Sequence, residues 1–188
     1  MGRQKLLLPW AGKRLIRHIV DELAMSELSE LVVVSGPSHK DVSDCLADTK
    51  VQIVYNARPQ EGMLRSVRLG LSQMSASSAA FMVVLGDQPS LSTDLVDGVI
   101  GFWRHHSDHI VRPRYAASHG HPVIIPRAFE SLVMTQFDDV GLKGLLRKYP
   151  ERVKEWGVED PGVIVDIDTP EDYERELARW NQERASAR

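Results

Sequence analysis

The stretch that decides the fold is Phe81-Met82-Val83-Val84-Leu85-Gly86-Asp87-Gln88-Pro89. Five apolar residues in a row read as a strand buried on both faces, and the small residue, carboxylate and proline that follow read as a fixed turn at its carboxyl end. In open α/β sheets ligands bind beyond the carboxyl ends of the strands, so Asp87 stands where a metal ligand would be placed. Mg²⁺ takes one or two carboxylates and completes its shell with phosphate oxygens and water, which a lone strand-end Asp can serve. An Asp that only caps the next turn explains the same residue equally well.

Working outward, short β-branched runs alternate with segments of helical period. Strands are expected at 31–35, 51–55, 81–85, 109–112, 122–125, 153–156 and 163–166. Leu15, Ile16, Ile19, Val20 and Leu23 form one apolar helical face, and Met63, Val67, Gly70 and Leu71 form another. Ser92 suits the N-cap of a helix running towards His105, and Thr169 with Pro170 opens a terminal helix that frays over 181–188. The alternation predicts an α/β fold, a mostly parallel sheet with flanking crossover helices, in a single domain spanning 1–188.

Composition narrows the function. The 188 residues are 43% hydrophobic and 26% charged, ordinary values for a globular chain. Against 26 Asp and Glu stand 23 Lys and Arg, a net charge of -3, which offers no electrostatic footprint for nucleic acid. Cys45 is the only cysteine, so neither an internal disulfide nor a multi-thiolate metal site is expected, and a reducing cytoplasm is the default location. No apolar run approaches the ~20 residues that span a bilayer, and the opening residues lack the pattern of a secretory signal. A small-molecule partner is expected, with no nucleic acid and no membrane.

Four further segments carry candidate chemistry. Asp166-Ile167-Asp168-Thr169-Pro170-Glu171-Asp172 follows an expected strand, and alternation puts Asp166 and Asp168 on one side, where either could complete a metal shell opposite Asp87. Helix capping and complementation of the helix dipole is the other reading, and it suits Glu171 and Asp172. Asn56-Ala57-Arg58-Pro59-Gln60-Glu61-Gly62-Met63-Leu64-Arg65-Ser66 leaves a strand through a polar turn and enters a helix near Gly62, a place for an anion or a base edge, although Arg58 and Arg65 equally suit solvated surface charges. His119-Gly120-His121-Pro122 begins another strand, where Gly permits close backbone approach and a neutral His offers a donor and an acceptor to a phosphate or a pterin; a structural His at a strand entrance competes. His105, His106 and His109 lie in a polar turn without partnering carboxylates or thiols, and the four Trp residues are scattered, so these are assigned to solvated turn and packing.

Taken together, these segments resemble the molybdenum cofactor cytidylyltransferases and their relatives in the MobA-like nucleotidyltransferase family. The matching pieces, in family order, are Met1-Gly2-Arg3-Gln4-Lys5-Leu6-Leu7-Leu8-Pro9, Asn56 with Gly62-Met63-Leu64-Arg65-Ser66-Val67, Gly86-Asp87-Gln88-Pro89, Gly120-His121-Pro122, and Asp166 to Asp172. The resemblance implies a Rossmann-like α/β fold and Mg²⁺-dependent transfer of a nucleoside monophosphate, CMP in first place, from CTP or GTP to the phosphate of molybdopterin cofactor, with release of pyrophosphate. It implies that Asp87 and Asp168 hold Mg²⁺ and that Lys5 neutralises triphosphate oxygens. It further implies that Asn56, Gly62, Ser66, Gly86 and Asp87 meet the nucleotide and that Gly120, His121, Pro122 and Asp139 meet the acceptor.

The chain departs from the family pattern twice. A Gly-Asp-any-Gly segment reads Asp138-Asp139-Val140-Gly141, with Lys143 where Arg is usual. Relatives also place a strand and a small-residue loop directly before the Met-Gly that is residue 1 here, and that strand lies near the middle of the sheet. The expectation is therefore a sheet whose first central strand is missing, with a start that lies upstream, a rearrangement, or a partner chain restoring it. Unpaired edges favour association, so a homo-oligomer is an expected state. A protein that binds nucleotide or cofactor without catalysis, serving cofactor maturation, is the alternative function.

Overall fold

The computed structural model describes residues 5–186; Met1 to Gln4, part of the first matching segment, and the last two residues of the expected frayed tail lie outside the described residues. Nine strands are described: β1 (Pro9–Trp10), β2 (Lys13–Arg14), β3 (Val32–Ser35), β4 (Gln52–Tyr55), β5 (Ala80–Val83), β6 (Ile110–Tyr115), β7 (Ser118–His119), β8 (Val123–Pro126) and β9 (Val153–Gly157). The helices are α1 (Leu15–Met25), α2 (His39–Cys45), α3 (Met63–Leu71), α4 (Thr93–Arg104), α5 (Glu130–Thr135), α6 (Leu142–Lys148) and α7 (Pro170–Ser186).

Alternation along the strands sorts the apolar residues into two layers. Phe81 and Val83 of β5, with Val123 and Ile125 of β8, face Leu64 and Leu71 of α3, Val133 of α5 and Leu145 of α6. The intervening Ala80 and Met82, with Ile124 and Val111, face Leu15, Ile19 and Leu23 of α1 and Val96, Val99 and Ile100 of α4. A third cluster joins Ile16 and Val20 of α1 to Val42 of α2, with Val33 of β3 and Ile53 of β4 packed against it. The result is a sheet between two helical layers, the α/β architecture the alternating pattern predicts.

Pairing within that layer is mixed rather than mostly parallel. β3 and β4 are parallel, joined through α2, and β6 and β9 are parallel; β5 with β8, β8 with β6, and β6 with β7 are antiparallel. The reason lies in the connection from β6 to β8. Only residues 116–122 separate the two, too few for the dozen or more that a parallel crossover requires.

The expected strand at 163–166 is another difference. Residues Pro161–Ile164 form a 3-10 turn, opened by Asp160, whose side chain accepts from the Gly162 N–H at 2.8 Å. The chain then continues extended but outside any ladder, held by single backbone bonds: His121 N–H to the Val163 carbonyl at 3.0 Å and Ile167 N–H to the Asp87 carbonyl at 3.0 Å. Two caps fall where the sequence puts them. Ser92 Oγ accepts from the Leu95 N–H at 3.2 Å. Thr169 Oγ1 accepts from the Asp172 N–H at 3.1 Å while Asp172 Oδ2 accepts from the Thr169 N–H at 2.9 Å, a reciprocal capping box at the start of α7. The segment expected to fray from Asn181 is helical as far as Ser186.

Between β3 and β5 the layer is open. Each strand is paired on one edge only, β3 with β4 and β5 with β8, and no strand among the described residues pairs with either second edge. A cavity of about 300 Å³ lies between them, lined by Val32, Val33 and Val34 on one side and Phe81, Met82 and Val83 on the other. The resemblance puts a strand near the middle of the sheet, and among the described residues none lies in this opening.

Packing of α4 gives a test of the fold. A Cβ on Gly98 would come within 2.3 Å of the Trp156 ring on β9. Helix propensity favours Gly98→Ala by ~1 kcal/mol, whereas overpacking a filled interface costs ~1–3 kcal/mol. The variant is expected to lower the urea midpoint without changing the slope of the transition; a raised midpoint refutes this packing.

Candidate functional site

The site forms where β5 ends. After Val83 the chain runs through Val84, Leu85 and Gly86 to Asp87, and a Cβ on Gly86 would lie 2.9 Å from Leu6, so glycine admits the first turn of the chain at this point. Against it lies 166–168. Ile167 is fully buried in the α1 and α4 layer, which turns its neighbours Asp166 and Asp168 outward on the side of Asp87, as alternation predicts.

Lys5 joins the two carboxylate segments. Its Nζ donates to Asp168 Oδ1 at 2.5 Å and lies 3.5 Å from Asp87 Oδ2. Partial burial alone lowers the Lys5 pKa, but the Asp168 hydrogen bond and the charges of Asp87 and Asp168 outweigh it and raise it above its ordinary value. Two carboxylates thus converge on one cationic group. Asp166 sits deeper: Gln88 Nε2 donates to its Oδ1 at 2.8 Å, and Gln88 is itself buried. Burial pushes the Asp166 pKa up; the Gln88 bond opposes this and the Asp87 charge adds to it.

Asn56, Gly62 and Ser66 are brought together. Asn56 is buried, its Nδ2 donates to Ser66 Oγ at 3.0 Å, and its Oδ1 accepts from the Arg58 N–H at 2.9 Å and Arg65 Nε at 3.2 Å. Gly62 holds φ 94°, a left-handed conformation that lets the chain turn into α3. Arg65 also pairs with Glu61 at 2.9 Å, so this arginine is an organising residue of the loop. Ser66 and Gly86 line the same cavity between β3 and β5, which places this loop and the Asp87 turn on opposite walls of one opening.

Gly120, His121 and Pro122 adjoin the carboxylates through 163–167. A Cβ on Gly120 would meet the Val163 carbonyl oxygen at 2.2 Å, so the close approach that glycine permits here is to backbone. The His121–Pro122 peptide is cis. His121 Nδ1 lies 3.5 Å from the Val83 carbonyl, and burial lowers the pKa of the ring against the opposing pull of that carbonyl and of Asp166 and Asp87. Asp139 is exposed in the turn before α6 and makes no hydrogen bond or ion pair with the other site residues. Lys143 of α6 lies near enough for its charge to act on His121.

Two residues that organise the site were not singled out by the sequence. Gln88 fixes Asp166; its place inside the 86–89 motif was the available signal. Arg68 donates to the carbonyls of Val133 and Gln136 and pairs with Asp138, clamping the turn that leads to Asp139; an Arg on an amphipathic helix gave no signal of this. Among the described residues no three His, Cys, Asp or Glu side chains form a cluster able to hold a metal by themselves. Among them, too, no helix is long and apolar enough to cross a membrane.

Comparison with known proteins gives a consistent picture. Residues 1–153 match the family described as the MobA-like NTP transferase domain. The molybdenum cofactor cytidylyltransferase of Escherichia coli (strain K12) is 21% identical over 97% of this chain and 91% of its own length. Nicotine blue oxidoreductase of Paenarthrobacter nicotinovorans is 27% identical over 94% of this chain and 90% of its own. The crystal structure of Rv0371c from Mycobacterium tuberculosis H37Rv, 24% identical, superposes with a TM-score of 0.84 over 95% of this chain and 91% of that one; the same protein has been solved in complex with manganese.

Two variants test the site's construction. Ionised Asp166 opposes folding, because its folded pKa is raised; the penalty is missing below the ordinary value of 3.8 and grows as pH rises through the raised value. In metal-free protein Asp166→Asn is expected to raise the Tm at pH 7, with the difference closing towards about pH 3. Gly120→Ala is expected to lose ~1–3 kcal/mol in chemical denaturation through the Val163 clash; an unchanged midpoint would show that 163–167 is not anchored there.

Proposed function

Because the chain belongs to the MobA-like NTP transferase domain family, we propose that it transfers a nucleoside monophosphate, CMP in first place, from an NTP to the phosphate of molybdopterin cofactor. An acceptor phosphate oxygen bonds to the α-phosphorus of the NTP, the bond from that phosphorus to the bridging oxygen breaks, and pyrophosphate leaves with the electron pair. No covalent enzyme intermediate is required, so the protein's part is positioning and charge neutralisation. The observation that carries the reading is the convergence of Asp87 and Asp168 on one cationic group at the carboxyl end of β5.

That donor set fits Mg²⁺. Two carboxylates within reach of a single cation leave the rest of the shell to phosphate oxygens and water, which accounts for the lack of a third protein ligand among the described residues. Bound there, a divalent cation supplies neutralisation of phosphate charge, and the manganese complex of Rv0371c supports a divalent ion in this family. Lys5, released from the carboxylates, reaches triphosphate oxygens. Asn56, Gly62, Ser66 and Gly86 hold the nucleotide, with CTP ahead of GTP on the strength of the cytidylyltransferase relative. Gly120, His121, Pro122 and Asp139 form the acceptor side, where the lowered pKa of His121 keeps the ring neutral at pH 7 as a hydrogen-bonding group. A cytoplasmic location fits these substrates.

The open cavity beside Ser66 and Gly86 supports a second reading, a maturation protein that binds nucleotide or cofactor without turning it over. Pyrophosphate release with CTP or GTP, molybdopterin cofactor and Mg²⁺ separates the two. Asp87→Asn is expected to slow release by about a hundredfold or more, and chelation of the metal to abolish it until Mg²⁺ is restored. Full activity in the variant overturns the role of Asp87. Metal-dependent CTP binding by a folded protein that releases no pyrophosphate establishes the second reading.

A further inference from the structure

We infer that Arg112, Arg114 and His119, gathered on Glu155 at the carboxyl ends of β6 and β9, form a subsite for an oxyanionic group of the acceptor remote from the phosphate that reacts. The identity of the ligand rests on the transferase reading; the subsite rests on the cluster itself.

Alternation puts the four side chains on one face of the sheet. Arg112 and Arg114 follow buried Ile110 at intervals of two along β6, and Glu155 follows Val153 along β9 and stands opposite Arg112 in the parallel register. His119 of β7 stands opposite Arg114. At Ile110 and Val153 this face belongs to the layer of α5 and α6; two residues further along each strand it turns from apolar to charged. β6 runs parallel to β5, because both are antiparallel to β8, so the charged part lies at the same end of the sheet as Asp87. Ligands of open α/β sheets gather at that end. With β8 alone between them, β5 and β6 are about 10 Å apart. His119 leads through Gly120 directly to His121, on the acceptor side of the candidate site.

The cluster is arranged around an anion. Glu155 Oε1 accepts from Arg112 Nη2 at 2.8 Å and lies 2.7 Å from His119 Nε2, and its Oε2 lies 3.2 Å from Arg114 Nε. Two guanidiniums against one carboxylate leave one positive charge in excess before His119 is counted. The Arg112 hydrogen bond holds the Glu155 pKa below its ordinary value, burial opposing it and the His119 charge adding to it, so the carboxylate is ionised at neutral pH. Arg112 Nε, by contrast, is buried with no hydrogen-bond partner among the described residues, and an unmade donor on a charged group is costly.

Joining β9 to β6 does not call for this set. Five register pairs already hold the two strands, and one cation would balance Glu155. A carboxylate that collects three basic groups is an internal stand-in for a ligand's oxyanion. All four side chains are at least partly exposed, so their ion pairs contribute little to stability and exchange readily for another anion.

The subsite is tested by titrating inorganic phosphate into the metal-free 188-residue chain while arginine Nε–H and backbone amide signals are followed by NMR. The Arg112 and Arg114 signals are expected to move. Arg114→Met is expected to weaken this binding about tenfold or more, and Glu155→Gln, which removes the internal competitor, to tighten it severalfold. Ion pairs that only brace the sheet give neither change, and a phosphate affinity unmoved in both variants overturns the subsite. With CTP, Mg²⁺ and molybdopterin cofactor, Arg114→Met is expected to raise the KM for the acceptor about tenfold and to leave the KM for CTP unaltered. Phosphate binding that responds to both variants beside an unmoved acceptor KM gives the site to a free anion and overturns the acceptor assignment. Absence of pyrophosphate release from the unaltered chain fails the transferase reading and the acceptor with it, whereas the phosphate titration still decides the subsite.

Discussion

The hydrogen bond from the Ile167 N–H to the Asp87 carbonyl, 3.0 Å long, is the contact on which the site depends. Asp87 and Asp168 are far apart in the chain, and each sits on a turn or an unpaired extended stretch. One backbone bond, together with the burial of Ile167, fixes their separation and turns both carboxylates to the same side. Gln88 then ties Asp166 to the same point, and the Val163 carbonyl accepts from the His121 N–H, so three elements of the site share one short segment. A segment held by single bonds instead of a ladder owes its geometry to those few contacts.

Electrostatics and stability pull against each other here. Asp166 is buried with an uptilted pKa beside Asp87, an arrangement that disfavours its ionised form. Lys5 offsets the like charges of Asp87 and Asp168 while itself resisting loss of its proton. Since Asp168 is largely exposed to solvent and Lys5 partly so, this pairing adds little to stability and is easily exchanged for another cation. Carboxylates gathered at a strand end and neutralised by a replaceable group suit a centre that takes up charge with its substrate.

Much of this was legible in the sequence because it rests on local rules. The apolar run before Asp87, the caps at Ser92 and Thr169, the helical faces of α1 and α3, and the common side of Asp166 and Asp168 all follow from periodicity and side-chain chemistry. What escaped depends on tertiary geometry. The run 163–166 has strand composition, yet Pro161, Gly162 and the Asp160 cap wind its start into a 3-10 turn and leave it no neighbour to pair with. The antiparallel course of β8 follows from the length of its connection to β6, residues 116–122, which the alternation of helix and strand does not reveal. At Gly120 the close approach that glycine permits is made by the Val163 carbonyl, a contact between residues far apart in sequence that no local rule shows.

The opening between β3 and β5 links the sheet to the site more closely than its apolar lining suggests. Ser66 borders it from α3 and Gly86 from the turn before Asp87, so its width sets the distance between the loop organised by Asn56 and the carboxylates. In the structure that width is held at one end by Glu30 with Ser75 and Ser78, and at the other by Leu6 against Gly86. Backbone pairing across a sheet fixes neighbouring strands at ≈ 4.7–4.9 Å, a constraint far stiffer than side-chain contacts at two ends. With no strand among the described residues bridging β3 and β5, the separation of the two halves of the candidate site rests on those two end contacts.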